Sequence, residues 1–167
     1  MKLASILTKE KILLSMDAEE RWQAIEELIQ HLDTRDLLGG ENSQDILNSL
    51  HLREEQTSTG IGSGVAIPHA FSDKLEEVIA VFGRSENGIN FDAIDNAPVK
   101  FILLFIVPKK NYHLHLQALS AIAKMFNNCE IRQNLAEAKD AAEILEIFSS
   151  TPSRTHSNHI SQRLDCD

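Results

Sequence analysis

The run Phe101-Ile102-Leu103-Leu104-Phe105-Ile106-Val107 constrains this chain's fold more than any other feature. It is strand-sized, rich in β-branched and aromatic residues, and lacks the polar alternation of a strand with one wet face. Val78-Ile79-Ala80-Val81-Phe82 repeats the pattern. Strands of this kind are buried on both faces, so the sheet they form needs helices on both sides. Turn-like segments lie between the two runs, at Glu86-Asn87-Gly88 and Asp95-Asn96-Ala97-Pro98.

The covering helices follow from apolar residues at helical spacing. Trp22, Ile25, Leu28, Ile29 and Leu32 make one stripe over 18–32, with Asp17 and Glu20 set as a capping box at its start. Ile46, Leu47 and Leu50 predict a second helix over 43–52. A third, over 112–127, carries apolar residues on two neighbouring faces and is expected to be largely buried. Shorter helices are expected at 129–138 and at 141–149, the latter opened by an Asp140/Glu143 capping box. From Ser149 the chain turns polar, so residues 1–150 read as one domain and 151–167 as a flexible polar tail.

With 167 residues the chain can bury one proper core. Its net charge of −9, from 25 acidic and 16 basic residues, disfavours nucleic-acid binding, which needs a basic footprint. No apolar run approaches the roughly 18 residues of a membrane span. Cys129 and Cys166 sit at a helix start and in the polar tail, so no structural disulfide is expected and the chain reads as cytoplasmic.

The chemistry concentrates in Thr59-Gly60-Ile61-Gly62-Ser63-Gly64-Val65-Ala66-Ile67-Pro68-His69. Three alternating glycines could uncover backbone N–H groups for an oxyanion, or could simply form a turn before a core strand. Val65-Ala66-Ile67 reads as that strand, with Pro68 ending it and His69 emerging at its edge. A P-loop is excluded because Val65-Ala66 replaces the Lys-Ser/Thr after the last glycine. The dinucleotide fingerprint is excluded by the G-x-G-x-G spacing. His113 and His115 invite a metal reading, but an i,i+2 pair on a helix points its rings about 200° apart, so no metal site is expected. Asn111 is a plausible N-cap, which sets His115 near a helix N-terminus, a place that favours phosphate. Arg53, at a helix end, could be catalytic or merely exposed.

The Thr59–His69 segment resembles the active-site signature of enzyme IIA proteins of the bacterial phosphoenolpyruvate:sugar phosphotransferase system. The type is fructose/mannitol, which includes the nitrogen-regulatory branch. His115-Leu116-Gln117-Ala118-Leu119-Ser120-Ala121-Ile122-Ala123 is similar to the family's second motif, and Arg53 falls where the family carries an arginine. Two departures occur: Ala70 stands where glycine is commoner, and Phe71-Ser72-Asp73-Lys74 lacks the basic residue often found there.

The resemblance implies a phosphocarrier with His69 as phosphoryl acceptor. His115 and Arg53 would stabilise the charge, and Thr59, Gly60, Gly62, Ser63 and Gly64 would form a phosphoryl-binding loop. The donor would be a histidine phosphocarrier (HPr-like) protein, with a IIB domain or a regulatory target as acceptor, and no cofactor. The expected fold is α/β of the α+β type, a three-layer αβα sandwich with a central mixed β-sheet. A nitrogen-regulatory role is preferred, because the chain carries no fused permease or IIB segment. A sugar-transport IIA component is the alternative, and a non-catalytic binding module of the same fold the third reading.

Overall fold

A computed structural model describes residues 3–149. The elements in chain order are α1 (Leu3–Ile6), β1 (Ile12–Leu13), α2 (Arg21–Asp33), α3 (Ser43–Gln56), β2 (Gly60–Gly62), β3 (Val65–Ala66), β4 (His69–Ser72), β5 (Ile79–Ile89), β6 (Val99–Pro108), α4 (Tyr112–Phe126), α5 (Cys129–Glu137) and α6 (Ala141–Ser149). The sheet runs β1-β5-β6-β3-β2, with β4 also on β6. It is mixed: β5 and β6 are antiparallel, while β3 and β4 run parallel to β6.

Alternation along the two long strands splits the core into two layers. Val81, Ile102, Leu104 and Ile106 face Ile25, Leu28, Ile29 and Leu50 of α2 and α3. Ala80, Phe82, Phe101, Leu103, Phe105 and Val107 face Ile122, Phe126, Leu135, Ile144 and Phe148 of α4, α5 and α6. The three-layer αβα sandwich around a mixed sheet is therefore observed, and burial on both faces explains why the strands read as unbroken apolar runs.

Several local expectations are corrected. α2 begins at Arg21, and its N-cap is Glu20, whose carboxylate accepts from the Trp22 and Gln23 amides. The amides of Asp17 and Ala18 are taken by Glu27 from the next turns, which leaves Asp17 outside the helix. α3 continues four residues beyond the expected end, to Gln56. β5 runs through Glu86-Asn87-Gly88 as an irregular strand, its register slipping between Arg84 and Ile89. Buried Arg84 donates from Nε to the Leu14 carbonyl and from Nη1 to the Leu135 and Ala138 carbonyls, so this cation closes the C-terminal end of α5. Cys129 is disulfide-bonded, against the expectation of none; Cys166 and the expected tail lie outside the described residues. Among the described residues no helix is long and apolar enough to cross a membrane.

Candidate functional site

β3 and β4 are two halves of one extended segment. Val65 pairs with Phe101, Ala66 with Ile102, His69 with Phe105 and Ser72 with Pro108, a constant offset across the gap. β3 ends before Pro68, as expected, and β4 resumes beyond it in the same register on β6. The Pro68 carbonyl still accepts from the Phe105 amide, so contact with β6 continues. What ends at Pro68 is pairing on the other side. The Ile67 amide donates to the Thr59 carbonyl, and Pro68 has no N–H with which to extend that ladder. The sheet edge opens there, and His69 is the first residue of the opened edge.

The His69 ring is held by both nitrogens. Nδ1 lies 3.0 Å from the Ile67 carbonyl, which can only accept, so Nδ1 carries the proton. Nε2 is then the lone-pair nitrogen, and it accepts from Arg53 Nε at 3.3 Å. Arg53 Nη1 donates to the Thr57 carbonyl at 2.9 Å. His69 therefore presents an unprotonated nitrogen beside a cation. Burial pushes its pKa below the ordinary value, the Ile67 bond pulls it back up, and the Arg53 charge lowers it further.

His115 comes from the first turn of α4, its ring centroid 5.1 Å from that of His69. It is 1% exposed, and neither ring nitrogen has a hydrogen-bond partner. Burial, with the neighbouring His69, holds its pKa down to about 4. A neutral imidazole with two unmade hydrogen bonds is costly in a folded core, and costs of this kind concentrate at functional sites. His113, two residues earlier, is exposed, as the helical geometry requires. The expectation that α4 is largely buried fails: Tyr112, Leu114 and Leu116 are 47%, 60% and 47% exposed. Leu52 and Ile61 are further large apolar side chains left exposed, Ile61 in the lining of the cleft around His69.

Arg53, Ser58, Thr59, Ile61, Ile67, His69, Leu119, Ser120 and Ala123 line one cleft of about 300 Å³. The expected site residues separate here. Arg53, Thr59, His69 and His115 are brought together, although Thr59 donates its amide and hydroxyl to Glu54 and has no donor left. Gly60 pairs with Ala66, and its amide is taken by Ser58 Oγ. Gly62, Ser63 and Gly64 form the hairpin tip at the far end of the strand. Gly64 and His69 are five residues of extended chain apart, or roughly 16 Å. The Ser63 amide donates to Asp95, and the Gly64 carbonyl accepts from Lys100 and Phe101. The glycine tip is thus not placed against His69.

Sequence reasoning missed Glu54. It is 1% exposed, accepts the Thr59 amide on both carboxylate oxygens, and also binds the Thr59 hydroxyl. This bond fixes the corner between α3 and β2, with Arg53 as its neighbour in the chain. Burial raises the Glu54 pKa against the lowering effect of Thr59 and of the Arg21 and Arg53 charges. In sequence it is one of two adjacent glutamates, Glu54 and Glu55, and nothing there marks which one turns inward.

Comparison with known proteins decides the family. Residues 5–151 match the model of the phosphoenolpyruvate-dependent sugar phosphotransferase system, EIIA 2. The chain belongs to that family. The fructose-specific EIIABC component of Bacillus subtilis is 33% identical over 151 residues, which cover 89% of this chain but 23% of that protein. The nitrogen regulatory protein of Bradyrhizobium diazoefficiens is 30% identical over 152 residues, covering 91% of this chain and 97% of its own length. In three dimensions, nitrogen regulatory protein IIA-Ntr from Neisseria meningitidis aligns with a TM-score of 0.81 at 31% identity, over 87% of this chain and 98% of that one.

Proposed function

We propose that this EIIA 2 protein is a phosphocarrier in which His69 Nε2 accepts a phosphoryl group from a phosphohistidine donor protein. One observation carries the reading. Nδ1 is committed to the Ile67 carbonyl, so the lone pair of Nε2, which accepts from Arg53 Nε at 3.3 Å, meets the cleft beside the unpartnered ring of His115.

The chemistry balances without a metal or nucleotide. The Nε2 lone pair forms a bond to phosphorus as the P–N bond to the donor's imidazole breaks, and the electron pair of that bond leaves with the donor ring. The proton stays on Nδ1, donated to the Ile67 carbonyl, whose negative end offsets the positive charge the His69 ring acquires. Arg53 Nε, which now donates to Nε2, is released to the phosphoryl oxygens. His115 supplies an N–H from a site already desolvated, where a hydrogen bond to developing charge is strongest.

The output of this chemistry is regulatory: the phosphorylation state of His69 decides whether a target protein binds. The B. diazoefficiens and N. meningitidis proteins, both named for nitrogen regulation, support this over nearly their whole lengths. A transport role, with a IIB domain accepting the phosphoryl group, is favoured by the 33% identity to the B. subtilis EIIABC component.

The test is labelling with phosphoenolpyruvate and the two general phosphotransferase proteins, the second being a histidine phosphocarrier. The wild type should take acid-labile, base-stable phosphate and His69→Ala none. Full labelling of His69→Ala would end the proposal. Adding a IIB domain separates the two outputs, since rapid loss of label to it would support transport.

A further inference from the structure

Three equatorial oxygens of a transferring phosphoryl group call for three donors, and Arg53 and His115 supply two. The hydroxyls of the cleft are Ser58, Thr59 and Ser120. Ser58 Oγ donates to the Phe91 carbonyl at 2.9 Å and accepts from the Gly60 amide at 3.1 Å, so it is spent. Thr59 donates its hydroxyl to Glu54. Ser120 Oγ makes no hydrogen bond to any described residue. A mid-helix serine hydroxyl either returns to the carbonyl one turn earlier or points outward. Here that carbonyl belongs to Leu116, and the hydroxyl is not bonded to it.

We propose that Ser120 is the third hydrogen-bond donor to the phosphoryl group on His69, a catalytic residue of the same reaction; the inference rests on the phosphocarrier reading. α4 places His115 and Ser120 five residues apart, a rise of about 7.5 Å along one helix. Five residues also turn the helix by about 140°, so Ser120 reaches the cleft it shares with His69, Leu119 and Ala123 from a different face of α4 than His115, while Arg53 approaches from α3. Ser120 differs from His115 in being solvent-exposed. Its hydroxyl therefore exchanges a bond to water for one to a phosphoryl oxygen, and the gain is smaller than that of a desolvated donor.

The experiment compares the rate of label uptake from the phosphorylated histidine phosphocarrier for wild type, Ser120→Ala and Ser120→Thr. Alanine is the better helix former, so Ser120→Ala should keep the wild-type melting temperature and remove only the donor. Uptake should slow by about tenfold, the scale of one hydrogen bond to a charged group. Ser120→Thr, which keeps a hydroxyl, should recover most of that rate. If Ser120→Ala is labelled as fast as wild type, Ser120 is not a donor. If Ala and Thr are equally slow, the site senses shape and not the hydroxyl, which also overturns the proposal. Failure of the wild type itself to label would instead overturn the phosphocarrier reading beneath it.

Discussion

The two ends of the segment from Gly60 to Ser72 come from one motif and have opposite characters. At the hairpin end the hydrogen-bonding groups are consumed. Ser63 and Ala97 donate their amides to the two oxygens of Asp95, Gly60 to Ser58, and Lys100 and Phe101 to the Gly64 carbonyl. Gly62, Ser63 and Gly64 hold φ of 94°, 57° and 78°, so the turn is rigid as well as satisfied. At the histidine end, both nitrogens of His115 and the Ser120 hydroxyl are unspent, and Nε2 of His69 has only the 3.3 Å contact to Arg53. The glycine-rich end is frame. The end where bonds are left unmade is where a ligand can be received.

The sharpest way to break that contrast is at His115. Replacing a donor aimed at developing charge costs about 10²–10³ in rate. His115→Ala should therefore slow phosphoryl transfer on that scale, measured at matched folded fraction, and wild-type rates would show that its unmade bonds serve no phosphoryl group.

The same unmade bonds should be visible in acid stability. The unfolded chain binds a proton at residue 115 below pH 6.5, while the folded chain resists until about pH 4. The unfolded state therefore holds more protons in that window, and stability must fall as the pH is lowered through it, by about 3 kcal/mol in all. The depressed His69 pKa adds in the same direction. Urea unfolding between pH 7 and 4 should show a shallower decline for His115→Leu. An identical slope would remove His115 as the cause.

At the frame end the expected effect is on stability and not on rate. A Cβ at Gly60 would stand 2.8 Å from both the Cα and Cβ of Ala93, on backbone that cannot swing away. Gly60→Ala should cost about 1–3 kcal/mol, read as a lower urea midpoint, with label uptake preserved in the folded fraction. The smallest effect belongs to His113→Ala. Its side chain is exposed and points away from the cleft, so transfer rates should match wild type, and a crippled His113→Ala would show that α4 is rotated from this register.

The sheet was legible because burial on both faces leaves a local mark, an unbroken apolar run at Phe101–Val107. Helix identity was legible from spacing, and His69 and His115 stood out as motif residues. The amount of exposure was not legible. Leu114 and Leu116 look like core residues by type, yet α4 meets the sheet mainly through His115, Ile122 and Phe126. Apolarity alone does not tell a core face from an uncovered one.

By itself the sequence determined which residues can do the chemistry and which segments must be strands, since side-chain type and periodicity are local properties. Only the tertiary structure decided what those residues meet. It put the hairpin tip far from His69 by keeping the strand extended past Pro68. It turned Glu54 inward onto Thr59, and it brought Arg53 and His115 to one ring from helices on opposite faces of the sheet. Those outcomes depend on how distant elements pack and on which donor reaches an acceptor first. Neither is set by neighbours along the chain.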